Sequence, residues 1–171
     1  PGGRNDGTFP VTAVLTSTRL SLGGANLDYC DEPSTVALLI ALANDVKARF
    51  NAHIATFDSA PAVHEQQDLI ETVAFEDSVD LDSAIILLNL LRQSFTNHIP
   101  KVGPAPSVHS FPDDQNLLYS APAQSLVSAV LLANELRARF EAHRQSLGFH
   151  EVRDVQNRVT APAVVFAKGG P

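Results

Sequence analysis

Three apolar stretches of similar length stand out along the chain, and each has the pattern of a buried helix. They read VALLIALA, AIILLNLL and LVSAVLLA, and they begin at positions 36, 84 and 126. With successive residues placed about 100° apart, Leu39, Leu42, Phe50 and His53 fall within about 40° of Val46 and form one apolar stripe. The early turns are apolar on almost every side, which is typical of helices buried on more than one face. We therefore predict three helices that pack together and leave some apolar surface for another subunit.

The three stretches belong to a recurrence with a spacing of 45 residues. Each copy follows the pattern L-x-N-x-[VL]-[KR]-x-x-F-x-x-H, which places Asn, Phe and His at equivalent positions. These are Asn44, Asn89 and Asn134; Phe50, Phe95 and Phe140; and His53, His98 and His143. A second block follows each copy, with a histidine, an aspartate four residues later, and Glu or Asn three residues further on. Its members are His64, Asp68 and Glu71; His109, Asp113 and Asn116; and His150, Asp154 and Asn157.

This recurrence predicts a mainly α-helical fold, in which three repeats of about 45 residues form a helix bundle or a short solenoid. We expect an extended N-terminal arm over 1–33, a helical domain over 34–160 and a C-terminal tail over 161–171. The repeats span about 34–79, 80–124 and 125–160, and the arms are β-prone in composition. Ser34, Asp82 and Ser125 are the predicted N-caps of the helices, because their side chains can accept hydrogen bonds from free backbone N–H groups.

Composition and charge exclude several classes of protein. The chain has 12 Lys and Arg residues against 19 Asp and Glu residues, a net charge of −7, which disfavours binding to nucleic acid or to an anionic membrane. The single cysteine, Cys30, excludes an internal disulfide and suits a reducing compartment. No apolar stretch reaches the roughly 18–20 residues of a membrane span. The chain opens without a basic segment followed by an apolar run, so we expect no signal peptide.

The recurring histidines and aspartates allow two interpretations. In the preferred one, His53 and its equivalents are partly buried, pack on the phenylalanine three residues earlier and bond a loop carbonyl, while Asp68 and its equivalents cap short helices. In the alternative, two imidazoles and a carboxylate of each copy bind a transition metal. The candidate ligands are His53, His64 and Asp68; His98, His109 and Asp113; and His143, His150 and Asp154.

The spacing of the candidate ligands argues against a metal site. The two histidines of a copy are eleven residues apart in the first two copies and seven in the third. A tight ligand cage would tolerate this difference poorly, so we predict no metal and no cofactor, with His/Asp metal binding as the alternative. A His–Asp pair could also orient a general base, but no Ser or Cys nucleophile recurs with it. We therefore predict that the protein is not an enzyme and has no catalytic residues.

The other recurring residues are interpreted as structural. Asn44, Asn89 and Asn134 are expected to form hydrogen bonds across a helix pair and to fix its register. Phe50, Phe95 and Phe140 are expected to anchor the core. The basic residues near the helix ends are expected to form a solvated face: Lys47, Arg92 and Arg137.

With these motifs in view, the chain resembles repeat-containing structural proteins of tailed bacteriophages, which carry stretches such as LANELKAxFNAHI followed by H-x-x-x-D-x-x-N. The match covers residues 36–160 and is best from Leu132 to His143, followed by His150, Asp154 and Asn157. The resemblance implies a non-enzymatic virion structural protein, in the first place a capsid decoration or cement protein that stabilises the head. A head–tail connector or a tail component is the alternative within this class.

The resemblance also implies partners and a location. We expect a symmetric homo-oligomer bound to a major capsid protein or another virion protein, assembled in the host cytoplasm and located in the virion. The acidic charge suits an outward-facing surface, and no direct contact with nucleic acid or membrane is expected. The alternative from another functional class is a soluble helical protein that binds metal through its histidines and aspartates.

Overall fold

The computed structural model describes residues 33–57, 63–103 and 108–166. Within these ranges the chain forms three α-helices, α1 (Pro33–Ala55), α2 (Leu81–His98) and α3 (Leu126–Gln145), and one short 3₁₀ helix (Leu69–Glu71). These ranges contain no β-strand, only an isolated parallel bridge between positions 102 and 109. The prediction of a mainly helical fold is confirmed. Apart from position 33, the predicted N-terminal arm lies outside the described residues, and so does the tail beyond position 166.

The beginnings of two helices are defined by capping boxes. Asp80 caps α2 and Ser125 caps α3, and each side chain accepts a hydrogen bond from the backbone N–H three residues later. In both cases the serine at that third position accepts a bond from the N–H of the cap in return. Ser125 is thus the cap predicted from the sequence. Asp82 is not a cap, because it lies inside the first turn of α2, and Ser34 likewise lies inside α1.

The three helices form a closed, parallel bundle. Each helix packs against both of the others, as a bundle requires and a solenoid does not. Phe50 of α1 lies with its ring centroid 6.3 Å from that of Phe95 and 6.1 Å from that of Phe140. Since equivalent residues meet, the helices run in the same direction. The predicted stripe of α1 is confirmed as core, because all five of its side chains are at most 1 % exposed.

The segment after each helix returns along the outside of the bundle in the opposite direction. In the first segment Asn51 binds the backbone N–H and C=O of Val73, and Asn44, earlier in α1, binds those of Ser78. The equivalent amides bind in the same two-way manner: Asn89 to Ala123 and Asn134 to Val164. The predicted helix–helix bond of these asparagines is therefore wrong. Each asparagine supplies hydrogen-bond partners to the backbone of the returning segment, beside which the described residues form no strand.

The recurring basic residues serve the same segments. Each donates a hydrogen bond to a backbone carbonyl of the returning segment: Lys47 to Phe75, Arg92 to Ser120 and Arg137 to Ala161. The prediction of a solvated face is wrong for these three side chains. Their stems lie along the bundle, and their charged ends hold the segment at distances of 2.9–3.0 Å.

Acidic residues of a neighbouring helix hold two of the returning segments from their other side. Glu135 of α3 accepts hydrogen bonds from the N–H groups of Tyr119 and Ser120 in the segment that follows α2. Asp45 of α1 accepts the corresponding bonds from Thr160 and Ala161 in the segment that follows α3. The last segment is thus held against the first helix. This closure brings the C-terminal ends of the three helices and the loops that follow them to one place.

Candidate metal centre

The C-terminal ends of the three helices place a triangle of histidines on the axis of the bundle. His53, His98 and His143 follow the buried phenylalanines by three residues, so they continue the same helical stripe. All three side chains are completely buried, and their ring centroids are 5.3–5.5 Å apart. Each ring packs edge-on against the phenylalanine of a neighbouring helix, at 5.4–5.8 Å. The sequence predicted that each ring is partly buried and packs on the phenylalanine of its own helix. Both points are wrong, because each ring is completely buried and packs on the phenylalanine of a neighbouring helix.

A second triangle lies directly above the first and comes from the loops. His64, His109 and His150 are 1–2 % exposed, with ring centroids 5.1–5.2 Å apart. The Nδ1 of each ring binds the backbone carbonyl three residues after the helix histidine of its own copy, at 3.1–3.2 Å. These carbonyls belong to Thr56, Lys101 and Ser146. This bond fixes each loop ring 4.6–4.7 Å from the helix ring of its copy.

Together the six rings are arranged like the corners of an octahedron. Each ring has four neighbours at 4.6–5.5 Å, two in its own triangle and two in the other. The fifth ring lies opposite, and the opposite pairs are His53 with His109, His98 with His150, and His64 with His143. The ligand nitrogens of His64 and His143 are within 4.8 Å of each other, so an ion midway would lie within half of that distance, 2.4 Å, of both. Metal–imidazole bonds are about 2.0–2.1 Å long for zinc, so the cluster has the dimensions of a single metal centre.

Buried aspartates lie behind the helix triangle and connect the three copies in a circle. The Nδ1 atoms of the helix histidines lie 2.7–2.9 Å from a carboxylate of the preceding copy: His98 from Asp68, His143 from Asp113, and His53 from Asp154. A carboxylate at Nδ1 fixes the tautomer, because the proton then resides on Nδ1 and the lone pair on Nε2. The aspartates were predicted to ligate a metal or to cap short helices. Their carboxylates orient the rings. Asp113 and Asp154 also accept capping-type bonds from the backbone N–H groups two and three residues later, whereas Asp68 makes no capping bond to the 3₁₀ helix that follows it.

The Nε2 atoms of all six histidines are buried and have no hydrogen-bond partner within the described ranges of the chain. Because every Nδ1 is bound to an acceptor, every Nε2 carries a lone pair, and these six lone pairs face one another. An unsatisfied buried polar atom costs about 1–3 kcal/mol, so six of them would cost about 6–18 kcal/mol, as much as the whole stability of a typical domain. A water molecule has only two hydrogens to donate and cannot satisfy six acceptors. A single cation can.

The electrostatic environment keeps the rings neutral and able to bind a metal. Burial, together with the neighbouring His143 ring, lowers the pKa of His64 to about 4, and burial with the neighbouring His143 and His64 rings lowers that of His150 to about 3. For His53 burial outweighs the raising effect of the Asp154 hydrogen bond and leaves the pKa well below 6.5. Burial alone would raise the pKa of Asp154, but hydrogen bonds from His53 and Asn157 lower it, so this carboxylate is charged. Neutral imidazoles backed by carboxylates are a typical metal-binding arrangement.

The aspartates are themselves held in place, in two different ways. Asp113 accepts hydrogen bonds from the backbone and the side chain of Asn116, and the third copy repeats this arrangement with Asp154 and Asn157. The first copy has Glu71 at the position of the asparagine. There Lys101 donates to Asp68 at 2.7 Å and to Glu71 at 2.8 Å, so a cation replaces the amide.

Sequence reasoning found the six histidines and three aspartates but missed Lys101 and the convergence of the three copies. The departure at Glu71 was the available signal for Lys101, because a second carboxylate three residues after a buried one needs a cation nearby. The three separate sites of two imidazoles and one carboxylate are not formed. The structure brings all six imidazoles to one place, with the carboxylates behind them.

The fold and the cluster define a parallel three-helix bundle with a buried six-histidine centre at one end. No protein family, no characterised protein and no solved structure matches the chain. None of the helices in the described ranges is long and apolar enough to cross a membrane.

Proposed function

We propose that the protein is a non-enzymatic structural protein whose fold is stabilised by one divalent transition-metal ion, bound by the Nε2 atoms of six histidines. The observation that carries this proposal is the convergence of six buried, unpartnered Nε2 atoms, each oriented by a hydrogen bond at Nδ1. This is the metal-binding alternative of the sequence analysis, with one shared site in place of three. The ligands are His53, His64, His98, His109, His143 and His150.

A structural role is favoured because the protein supplies every ligand. Catalytic metal sites keep a coordination position for water or substrate, whereas structural sites are closed. Six imidazoles complete an octahedron, and the exposed fraction of each histidine is at most 2 %. A substrate would therefore find neither an open coordination position nor a path to the ion.

The ion joins parts of the chain that are far apart in sequence. Each of three repeats supplies one ligand from its helix and one from its loop, and its aspartate orients the helix ligand of the next repeat. His53 and Asp154 are 101 residues apart and close this circle at 2.8 Å. Structural zinc sites in small peptides contribute about 10–16 kcal/mol of binding energy to folding, and we expect a contribution of comparable importance here.

The test is elemental analysis of the purified protein before and after metal removal. Because the site is buried, removal requires unfolding in the presence of a chelator, followed by refolding with and without metal. We expect one transition-metal ion per chain, and we expect protein refolded without metal to have a clearly lower free energy of unfolding in urea than protein refolded with metal. The control is Glu76→Gln, a surface change outside the centre, which should bind one ion like the parent protein.

Two outcomes would refute the proposal. One is a protein that contains no metal and takes none up on refolding. The other is a chain that refolds equally well with a chelator present and melts at the same temperature with and without metal.

A virion role remains the proposed setting for such a protein, and it is supported by the sequence resemblance together with exposed apolar residues. On the outer faces of the helices Leu38, Ile86, Leu90 and Leu131 have exposed fractions of 37–59 %. Such residues suit contacts with another copy or with a virion protein. We expect sedimentation to show an oligomer that Ile86→Asp and Leu131→Asp weaken without loss of metal. A monomer in the parent protein would contradict this role.

A further inference from the structure

We propose that the six-histidine centre selects a divalent ion that accepts six nitrogen ligands in octahedral geometry, the class of Fe²⁺, Co²⁺ and Ni²⁺, over Zn²⁺. This inference rests on the proposed function, since it presupposes that the cluster binds a metal. It concerns the identity of the ion, which follows from how rigidly the six rings are held.

The rings cannot rearrange to a smaller coordination number. Each Nδ1 is bound to a carboxylate or to a backbone carbonyl, and rotation of a ring would break that bond inside a buried site. The carboxylates are bound in turn, Asp113 by Asn116 and Asp68 by Lys101. The helix rings are also packed edge-on against phenylalanines at 5.4–5.8 Å. The geometry of the ligands is therefore set by the protein before any ion binds.

Zinc would make poor use of this geometry. Structural zinc sites are almost always tetrahedral, with four ligands. Two sets of four histidines have ligand nitrogens within 4.8 Å of one another, and both sets contain His64 and His143, which lie on opposite sides of the octahedron. Opposite ligands cannot both belong to a tetrahedron. A zinc ion bound by four of the rings would also leave two Nε2 atoms buried without a partner.

The other common ions fit less well. Mg²⁺ and Ca²⁺ prefer oxygen ligands, and each aspartate of the cluster has an oxygen on the Nδ1 side of a ring, away from the Nε2 atoms. Cu²⁺ favours square-planar or tetragonal geometry, which six equivalent rigid rings do not provide. Imidazole is a suitable ligand for iron and nickel, and an octahedral set with no weak position suits them and cobalt.

The test is a competition between Co²⁺ and Zn²⁺ during refolding of metal-free full-length protein. Selectivity between divalent ions at a protein site depends on geometry and ligand type more than on raw affinity. A large preference for cobalt over zinc would therefore report the octahedral geometry of the site. With equal concentrations of both ions we expect at least about tenfold more bound cobalt than zinc, since one unpaired imidazole nitrogen alone costs about a factor of ten. Bound Co²⁺ should show the weak visible absorption of an octahedral complex, and X-ray absorption should show six nitrogen neighbours.

A matched variant separates selectivity from binding. In His64→Ala/His109→Ala/His150→Ala the helix triangle remains, and water can occupy the other three positions. We expect the preference for cobalt over zinc to fall to near parity in this variant. Equal or greater zinc binding by the parent protein, or the intense absorption of tetrahedral cobalt, would overturn the inference about selectivity and leave the proposed metal centre intact. Binding of none of Fe²⁺, Co²⁺, Ni²⁺ or Zn²⁺ would overturn both.

Discussion

Replacement of the loop triangle by leucine should change stability in opposite directions with and without metal. The variant is His64→Leu/His109→Leu/His150→Leu, and leucine is close to histidine in size, so the buried volume is nearly kept. The loop triangle is chosen because its Nδ1 atoms bind backbone carbonyls. The same change in the helix triangle would remove the histidine partner of each buried carboxylate and would confuse the result.

The difference in the free energy of unfolding between the metal-free variant and the metal-free parent follows from the unpartnered nitrogens that are removed and the hydrogen bonds that are lost. Three unpartnered Nε2 atoms disappear, which relieves about 3–9 kcal/mol at about 1–3 kcal/mol each. Three Nδ1 bonds to carbonyls are lost, which costs about 1.5–4.5 kcal/mol at about 0.5–1.5 kcal/mol each. At the middle of these ranges, about 6 kcal/mol is relieved against about 3 kcal/mol lost, so the metal-free variant should be more stable than the metal-free parent by about 3 kcal/mol. In the presence of metal the order should reverse, because the variant lacks three of the six ligands.

Urea unfolding monitored by far-ultraviolet circular dichroism measures both differences. The chain contains no tryptophan, so helix content is the appropriate signal. The single variant His109→Leu should show the same reversal with a smaller amplitude. A triple variant that is less stable than the parent under both conditions would mean that the loop histidines stabilise the fold without an ion, and the argument from unpartnered nitrogens would be refuted.

Three further predictions concern the supporting contacts. Asp113→Asn should weaken metal binding about 10–100-fold in a calorimetric titration, because the amide cannot hold His143 as the carboxylate does. A loss of helix content together with affinity would instead indicate a folding defect. Asn89→Ala should lower the free energy of unfolding by about 1–3 kcal/mol in urea, since two backbone groups of Ala123 lose their partner; an unchanged midpoint would contradict this role. In the metal-free protein, the free energy of unfolding should be constant above the ordinary histidine pKa of 6.5. It should fall as the pH drops toward the pKa in the folded protein, about 4 for His64, because the unfolded chain binds protons that the folded chain excludes. A melting temperature that does not change between pH 7 and pH 4 would contradict the burial of neutral rings.

Most of the fold could be predicted from local pattern, because the pattern records which face of each helix is buried. The spacing of Leu39, Val46, Phe50 and His53 identified the core stripe of α1 without knowledge of its partners. The roles of Asn44 and its equivalents could not be predicted, since their partners lie 30–34 residues away in segments without regular structure. Which backbone groups need a partner is a property of the assembled fold and is not visible in a helix by itself.

The site illustrates the same limit. Unequal spacing between the two histidines of a copy suggested that no common ligand cage could form. The structure shows that loop length is irrelevant, because each loop histidine is placed by a bond to the carbonyl three residues after the helix histidine, whether seven or eleven residues separate the two rings. A fixed hydrogen bond, and not a fixed spacing, determines where the ligand lies.

The charges around the cluster give an independent reason to expect a cation. Asp113 and Asp154 are both lowered in pKa by their hydrogen bonds despite burial, so two full negative charges lie beneath neutral rings. Asp68 is raised in pKa by burial, and Lys101 opposes that rise. Buried carboxylates around an apolar core would be a serious cost in a protein that relied on hydrophobic packing alone. Because they accept from the Nδ1–H groups of the helix histidines, they instead make the Nε2 atoms of those three rings better ligands, and they offset the charge of a divalent ion. The same residues that would destabilise a metal-free bundle are those that a metal-bound one requires.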